Sequence, residues 1–408
     1  MKRVIYAVFC ALLSTSLCYS QSLLDSVYHN QKLKKHLKAI SLCEQLLDGD
    51  EFSNKEKSDI FFAMGYSFKN LNQPSNAIKF YLLSVEAYNE PICHGRAHYN
   101  IGNIYKDFQH YSQAIEHYNI AISLTENRAK RGKYLVSRAI ARKYNDELAD
   151  ALNDVLNAQE IALEDVEKNK VLLHKAYNQR GLIKMAMGNY DEALQYFDYA
   201  NELNVKLNTY VNIGLCYVEG GEDQKAIEAF NRALLSKQHR AQKFKSYQAL
   251  GEIYSRLEEN DEALKFLQLA ESQYQLLRHP NGDDMELFIT IGNLFKQLGD
   301  KDRSIHYFEK SANLYRELDK IKSELLVNAK KAELENTEKQ FYAQKKKEEE
   351  KRATIIAICI WTGLLLLIIG WLVYMYRARR KRFERVKKNV KRSIEATLPI
   401  PDHLINPK

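Results

Sequence analysis

Residue types that do chemistry occur in this 408-residue chain, but they are not arranged in a catalytic pattern. Cys93-His94 is followed by His98, and two histidines four residues apart share one face of a helix, as metal ligands do. No clear third ligand accompanies them. Gly220-Gly221 lacks the Gly-Lys-Ser/Thr of a phosphate-binding loop, and His-Glu-x-x-His is absent from the sequence. We therefore predict a protein that is not an enzyme and has no metal or cofactor.

The cysteines do not indicate a disulfide framework or a metal site. Four of the six lie beyond residue 20: Cys43, Cys93, Cys216 and Cys359. Their spacing matches no metal-binding or redox motif, and secreted disulfide scaffolds are denser in cysteine. We interpret them as small buried residues, with one long-range disulfide as an unsupported alternative.

One stretch near the carboxyl end divides the chain. Residues 353–376 form a run of 24 residues without a charge, and about 20 apolar residues suffice for a helix to span a bilayer. Ten Lys or Arg residues follow between Arg377 and Arg392. The positive-inside rule then predicts that 377–408 is a basic cytoplasmic tail and that the preceding region lies outside. The chain is predicted to be a single-pass protein of the inner membrane with a periplasmic amino-terminal region.

The amino terminus has the order of a secretory signal over residues 1–20. Two basic residues precede an apolar run over 4–13, and Ser20 precedes the predicted cut. An uncleaved anchor is the alternative. The net charge of +8 belongs to this segment and the tail, because residues 21–376 carry −2. The large outer region therefore offers no electrostatic basis for binding nucleic acid.

Small residues recur with a fixed phase between these two segments. Gly102, Gly214 and Gly251 are each followed by Tyr at +3, Ala at +12, a large apolar residue at +16 and Ala at +19. Seven such anchors, with Ala139 in a degenerate copy, are 37, 37, 42, 33, 37 and 41 residues apart. Small residues at these positions would let two helices approach closely within each unit. The predicted packing residues are Gly65, Gly102, Gly181, Gly214, Gly251, Gly292, Ala77, Ala114, Ala193, Ala226 and Ala263.

At these residues the chain resembles the tetratricopeptide repeat family, whose helix-turn-helix unit has this spacing at a period of about 34. The resemblance implies an all-α solenoid of seven to eight repeats, followed by a long helix that continues into the membrane. We assign 21–54 to a capping, degenerate repeat, 55–318 to the array, 319–352 to a charged helical stalk and 353–376 to the transmembrane helix.

The resemblance also implies a groove lined by first helices, where protein or peptide partners bind. Positions one and four residues after the anchor usually face it in this family. They hold the candidate residues Tyr66, Lys69, Asn103, Lys106, Lys143, Asn293 and Lys296. These would offer donors to a peptide carboxylate or acidic segment. A solvated helix face is the alternative interpretation, and the carboxylate-clamp arrangement of some family members is not reproduced.

Leu314, Leu318, Ile321 and Leu325 follow the array at alternating spacings of four and three. This short heptad seam fits either a homodimeric coiled-coil stalk or a capping helix whose apolar stripe lies on the last repeat. In the tail, an amphipathic pattern from Phe383 to Ile394 fits a helix on anionic lipid or one paired with a second copy.

The whole layout resembles the input half of bacterial membrane-bound sensors that end in a histidine kinase or a LuxR- or AraC-type regulator. The 32 residues of 377–408 are too few for such an output domain. We therefore predict a membrane-anchored periplasmic protein that binds proteins or peptides as a scaffold or sensor input. The alternative is a signal-transducing regulator whose output is truncated or supplied by a partner.

Overall fold

The fold is a series of antiparallel helical hairpins. The computed structural model describes residues 24–48, 52–88, 90–203, 209–235, 240–274 and 282–397. The predicted signal over 1–20 and the end of the tail beyond 397 lie outside these ranges. The helices are α1 (24–32), α2 (His36–Leu47), α3 (Asn54–Asn70), α4 (Pro74–Ala87), α5 (Pro91–Asp107), α6 (Tyr111–Ser123), α7 (Arg128–Tyr144), α8 (Leu148–Leu163), α9 (Val166–Ala186), α10 (Tyr190–Glu202), α11 (Tyr210–Glu219), α12 (Asp223–Leu235), α13 (Arg240–Arg256), α14 (Asn260–Tyr274), α15 (Gly282–Gln297) and α16 (Lys301–Thr397).

Every hairpin turns in the same way. The first helix ends at a residue with a positive φ, and the next backbone N–H bonds to a carbonyl five residues back, as His110 N does to Tyr105 O at 2.8 Å. This is the Schellman ending of a helix. The eight left-handed residues are Lys34, Asn72, Gln109, Asp146, Gly188, Gly221, Glu258 and Gly299. The hairpin α1–α2 thus shares its turn with the seven predicted units, which we number 1 to 7 from α3–α4 onward.

The anchor glycines lie where the two helices of a hairpin meet. A Cβ placed on Gly65 or Gly102 would be 2.8 Å from a ring carbon of Tyr81 or Tyr118, and one on Gly181 would be 2.5 Å from Phe197. The predicted alanine partners, Ala77, Ala114, Ala193, Ala226 and Ala263, are completely buried. The repeated spacing in the sequence is therefore the spacing of helix contacts, and the large residue at +16 packs closely against the glycine.

Gly214→Ala is expected to destabilise repeat 5 despite the higher helix propensity of alanine. Its methyl group would lie 2.7 Å from two ring carbons of Phe230, which is fully buried. Overpacking of this kind costs about 1–3 kcal/mol. Urea denaturation measures the loss. Gly220→Ala is the matched control in the same hairpin, because its Cβ would be 3.4 Å from the nearest atom, and an equal effect of both changes would contradict the steric explanation.

The chain divides into two compact units between Asn336 and Thr337, inside α16. In the first unit, the start of α16 is the second helix of repeat 7, and Leu314 and Leu318 pack in an apolar cluster with Leu287, Phe288 and Phe295 of α15. Leu325 is completely buried as well. Three residues of the heptad seam thus contact the array of their own chain, which favours the capping interpretation over a dimer formed through this seam.

The second unit, 337–397, is helical throughout. Among the described residues, one helical segment, Gln344–Ser393, is long and apolar enough to cross a membrane. Its apolar 18-residue stretch has a mean hydropathy of 2.6 and is not buried within the chain. Its large side chains, including Trp361 and Trp371, are exposed. The run predicted at 353–376 lies within this segment.

Candidate functional site: the groove of the first helices

The first helices of consecutive repeats line a common groove. Part of this groove is a pocket of about 320 Å³, which is within the usual size range of ligand sites. Five first helices, α5, α7, α9, α11 and α13, contribute to its wall. The lining residues are Tyr99, Lys133, Val136, Ser137, Ile140, His174, Lys175, Asn178, Gln179, Asn212 and Gln242.

These residues occupy a few fixed positions of the repeat. Relative to the anchor, Lys133 and Lys175 stand at −6, and Tyr99, Val136 and Asn178 stand at −3. Ser137, Gln179 and Asn212 stand at −2, and Ile140 stands at +1. Positions −6, −3, −2 and +1 share one face of a helix with 3.6 residues per turn. A residue at one of these positions in another repeat is therefore expected on the same groove face.

Basic side chains gather at the end of the groove formed by repeats 1 to 3. Lys106 Nζ lies 2.6 Å from Asp107 Oδ1, and Lys69 Nζ lies 3.8 Å from Asp107 Oδ2. Burial lowers the pKa of Lys69, Asp107 opposes this shift, and the charges of Lys106 and Lys133 reinforce it. Lys69 and Lys106 thus share one carboxylate, and Lys133 is close enough to act on the charge of Lys69. An anion placed beside them would relieve their mutual repulsion.

Tyr99 is the rigid centre of this basic region. Its ring stacks on Tyr134 with centroids 4.3 Å apart, and its hydroxyl lies 3.2 Å from Ser137 Oγ. Lys133 Nζ lies over the same ring at 4.7 Å. A cation over an aromatic face loses conformational freedom without losing its charge. Tyr99 therefore holds Lys133 in place while the ammonium group stays accessible to a ligand.

Amide side chains continue the surface toward repeats 4 and 5. Asn212 Nδ2 donates to Asn178 Oδ1 at 2.7 Å, joining α11 to α9. Each amide keeps further donors and acceptors after this bond. Such groups can bond to the backbone of an extended chain whatever its sequence.

Glu252 of repeat 6 stands at +1 and is half-buried at the far end of the array. Gln248 Nε2 donates to Glu252 Oε1 at 3.0 Å, and Thr290 Oγ1 donates to it at 3.4 Å. Burial raises the pKa of Glu252, and the nearby Glu286 raises it further. A partly desolvated carboxylate at a groove position would be stabilised by a cationic group of a ligand.

Glu252→Gln is expected to raise the melting temperature at pH 7 by about 1–3 °C. The amide keeps an acceptor for Gln248 and Thr290 but carries no charge to desolvate. The pKa of Glu252 is higher in the folded state than in the unfolded chain. The ionised carboxylate therefore destabilises the fold: this loss of stability is absent below the ordinary pKa of glutamate and develops as the pH increases through the folded-state pKa. The gain should therefore disappear at acidic pH. Glu228→Gln, at an exposed site on α12, should leave the melting temperature unchanged at both pH values.

The structure distributes the groove residues predicted from sequence over several environments. Lys69 and Lys106 come together, as described. Asn103 Oδ1 accepts a 2.9 Å bond from the Tyr118 hydroxyl, so it fastens α5 to α6. Lys143 Nζ lies 4.0 Å from the ring centroid of Tyr144. Tyr66, Asn293 and Lys296 are exposed.

The residues that the sequence prediction missed are mainly those at −6, −3 and −2, above all Lys133, Lys175, Asn178 and Asn212. The signal was present in the helical period, because these positions lie one and two turns before +1 on the same face. Extending the chosen positions back along each first helix would have found them.

The two histidines of the metal-like pattern have separate contacts. His94 Nε2 lies 3.1 Å from the Tyr88 carbonyl oxygen, and His98 Nδ1 lies 2.9 Å from His117 Nδ1. The part of the chain that the structure describes contains no group of three His, Cys, Asp or Glu residues placed to hold a metal ion. Cys43, Cys93, Cys216 and Cys359 are free thiols.

Comparison with known proteins identifies the repeat unit. Five segments, residues 95–128, 174–204, 207–239, 244–273 and 286–318, match the family model of the tetratricopeptide repeat. The chain carries tetratricopeptide repeats. These five segments correspond to repeats 2, 4, 5, 6 and 7, so the all-α repeat fold predicted from sequence is confirmed.

Solved structures share the tetratricopeptide fold. A tetratricopeptide repeat protein from Parabacteroides merdae is 17% identical, with a TM-score of 0.54 over 66% of this chain and 96% of that one. The apo form of the quorum sensor NprR from B. thuringiensis is 17% identical, with a TM-score of 0.53 over 72% of this chain and 87% of that one. At this identity the likeness concerns the fold.

A human relative, protein O-mannosyl-transferase TMTC3, is 25% identical over 227 residues, which is 52% of this chain. The chain spans about a quarter (24%) of the length of that protein. The likeness lies in a limited region, and the transferase activity named for the whole human protein does not follow from it.

Proposed function

We propose that this protein is a membrane-anchored interaction protein whose tetratricopeptide groove binds an extended, acidic segment of a protein or peptide. The observation that carries the proposal is the concentration of Lys69, Lys106, Lys133 and Lys175 along first helices. Stacked repeats present an extended concave surface, and surfaces of this kind are what repeat proteins use to bind partners. The protein is proposed to act by binding and not by catalysis.

The ligand chemistry follows from the order of side chains along the groove. Ammonium groups in repeats 1 to 4 fit carboxylates of the ligand, and the amides Asn178 and Asn212 fit its backbone. Glu252 in repeat 6 fits one basic side chain or a terminal amine. An extended peptide with an acidic part and one cationic group satisfies all three regions.

Binding can be tested with fluorescent dodecapeptides and the purified full chain in detergent. An acidic peptide with one lysine near its end, a neutral peptide and a basic peptide of equal length form the set. We expect the acidic peptide to bind most tightly and its affinity to fall as salt increases. Equal affinity for all three peptides, or no binding by any of them, would reject the proposal.

The membrane part of the proposal rests on Gln344–Ser393, whose apolar side chains are not covered by the chain itself. Lipid acyl chains would cover these side chains and so remove their apolar surface from water. Ten basic residues after the apolar run favour a cytoplasmic carboxyl end and a periplasmic array in the inner membrane. The basic segment then lies beside anionic headgroups.

Protease added to intact spheroplasts tests this orientation. Antibodies against the array and against the tail should show digestion of the array and protection of the tail. A protected array that is digested only after lysis would place it in the cytoplasm and remove the proposed class of partners.

Signal transduction is a second candidate, and it is favoured by one observation. Helix α16 begins in repeat 7 and continues without interruption through residues 353–376 to Thr397. A ligand that changes the pairing or tilt of this helix would affect the cytoplasmic side, provided that the two helix states differ in ligand affinity.

A further inference from the structure

The segment of α16 that follows repeat 7 contacts the array again at a distant place in the sequence. We call Lys322–Ala332 the strap. Lys322 Nζ donates to Gln109 Oε1 at 2.5 Å, and the Lys322 carbonyl oxygen lies 3.3 Å from His110 Nε2. These partners are separated by 213 and 212 residues. Both belong to the turn between α5 and α6 of repeat 2.

The strap is also joined to the array by apolar contacts. Leu325 and Ala329 are completely buried, and they belong to the same apolar cluster as Tyr105, Tyr118 and Ala141. Ala332 packs against this cluster from its edge. The next residues on the helix, Leu326 and Val327, are exposed. One stripe of the strap is therefore docked on repeats 2 and 3, and Leu326 and Val327 lie outside that stripe.

This contact is unusual for a repeat array because it links units that are not neighbours. Each repeat of a solenoid normally contacts only the next one, so its curvature is set by a series of weak, independent interfaces. Small rotations at each interface add up along the array. The contact between the strap, which follows repeat 7, and repeat 2 directly restrains the total rotation accumulated along the array. The pocket lies in this same part of the array.

The strap leaves the groove open. Among the residues that the structure describes, those that line the pocket belong to α5, α7, α9, α11 and α13, and none belongs to α16. The strap therefore does not compete with a ligand for space. By fixing the curvature of the array, it instead keeps the groove helices at the spacing that a ligand bridging several repeats requires, which reduces the ordering cost of binding.

We propose that the strap is a clamp that holds repeats 2 to 7 in one curvature, and that clamp docking and groove occupation strengthen each other. The second half of this proposal rests on the proposed function of the groove. By thermodynamic linkage, a clamp that tightens ligand binding is itself tightened by the ligand to the same degree. Occupation of the groove is thereby converted into firmer docking of α16, the helix that continues toward residues 353–376.

The clamp is tested first without a ligand. Spin labels at Glu116→Cys in repeat 2 and Gln268→Cys in repeat 6, both exposed positions, report the curvature of the full chain after its own cysteines have been replaced. We expect a narrow distance distribution in the parent and a broad one after Leu325→Asp. Val327→Asp is the matched control, because this residue of the same helix is 67% exposed. An unchanged distribution in Leu325→Asp would overturn the clamp.

A second pair of variants distinguishes loss of the strap contact from general unfolding caused by a buried aspartate. Lys322→Glu removes the ammonium group that donates to Gln109 Oε1 and should broaden the distribution partially, and Gln109→Lys combined with Lys322→Glu should narrow it again by forming an ion pair at the same place. A double variant that stays as broad as the single one would contradict the assigned contact.

The coupling is tested with the acidic dodecapeptide. Leu325→Asp should weaken its binding at least fivefold although no groove residue has changed, and Val327→Asp should bind like the parent. Equal affinity of Leu325→Asp and the parent would overturn the coupling but leave the proposed function intact. Failure of the peptide to bind any variant would refute the proposed function and the coupling, while the label distances still decide whether the clamp exists.

Discussion

Asp154→Ala is expected to lower the free energy of unfolding of the array by about 3–5 kcal/mol, because it leaves two arginines without their shared buried partner. Asp154 is completely buried in α8. Arg138 binds it with both Nε and a terminal nitrogen, at 2.8 and 2.5 Å, and Arg142 Nη1 adds a bond of 2.9 Å. Urea denaturation followed by circular dichroism measures the change.

Two further variants separate the ion pair from general damage to repeat 3. Glu160→Ala, at an exposed site of the same helix, should change stability by less than about 0.5 kcal/mol. Replacing Asp154 by Leu together with Arg138 and Arg142 by Met should recover most of the loss, because no buried charge is then left unpaired and Glu147, which also pairs with Arg142, is solvent-accessible. If Asp154→Ala behaves like Glu160→Ala, the ion pair contributes nothing to the folded state.

Lys133→Glu combined with Lys175→Glu is expected to weaken binding of the acidic dodecapeptide by tenfold or more. Both lysines line the pocket, and the double change replaces two attractive charges with two repulsive ones. The remaining affinity should depend less on salt than that of the parent. Fluorescence anisotropy at two salt concentrations measures both effects.

The matched control is Lys79→Glu with Lys265→Glu. It has the same change in net charge, but these exposed lysines stand on the second helices α4 and α14. Their exchange should leave peptide affinity within about twofold of the parent, because distant surface charges are screened by salt. Equal losses in the two double variants would show that the peptide responds to total charge and not to the groove.

The repeat fold could be predicted from sequence because its main constraint is local and steric. A glycine at the crossing of two helices and an alanine twelve residues later must be small whatever the rest of the chain does. Gly102 against Tyr118 and Gly214 against Phe230 show this constraint directly. The turn after each first helix was harder to predict from the sequence, because in several repeats the left-handed position is not a glycine. It is occupied by Gln109, Asp146 and Glu258 in repeats 2, 3 and 6.

The site was predicted only in part. Lys69 and Lys106 were identified because they recur at one repeat position, and the structure brings both to Asp107. Lys133 and Lys175 were missed, although the same helical face includes their position. Asn103 was chosen by position alone, and its bond to Tyr118 could not be foreseen without knowing how α5 and α6 meet.

Contacts between segments that are far apart in the chain could not be predicted from the sequence. The seam from Leu314 to Leu325 was equally compatible with a dimer and with capping, because both bury one stripe of a helix. The partners of Leu325 depend on how far the array curves, which is the sum of the small rotations between successive repeats. For the same reason, the approach of Lys322 to Gln109 could not be inferred from either residue.

Site-specific photocrosslinking in the native membrane tests groove binding most directly. A photoreactive residue at Gln179, inside the pocket, is compared with one at Glu160, on the exposed face of the second helix α8. We predict a discrete crosslinked protein or peptide from Gln179 that is absent from Glu160 and disappears in the Lys133→Glu, Lys175→Glu background. Identical crosslinking from both positions, or none from Gln179, would contradict a ligand-binding groove.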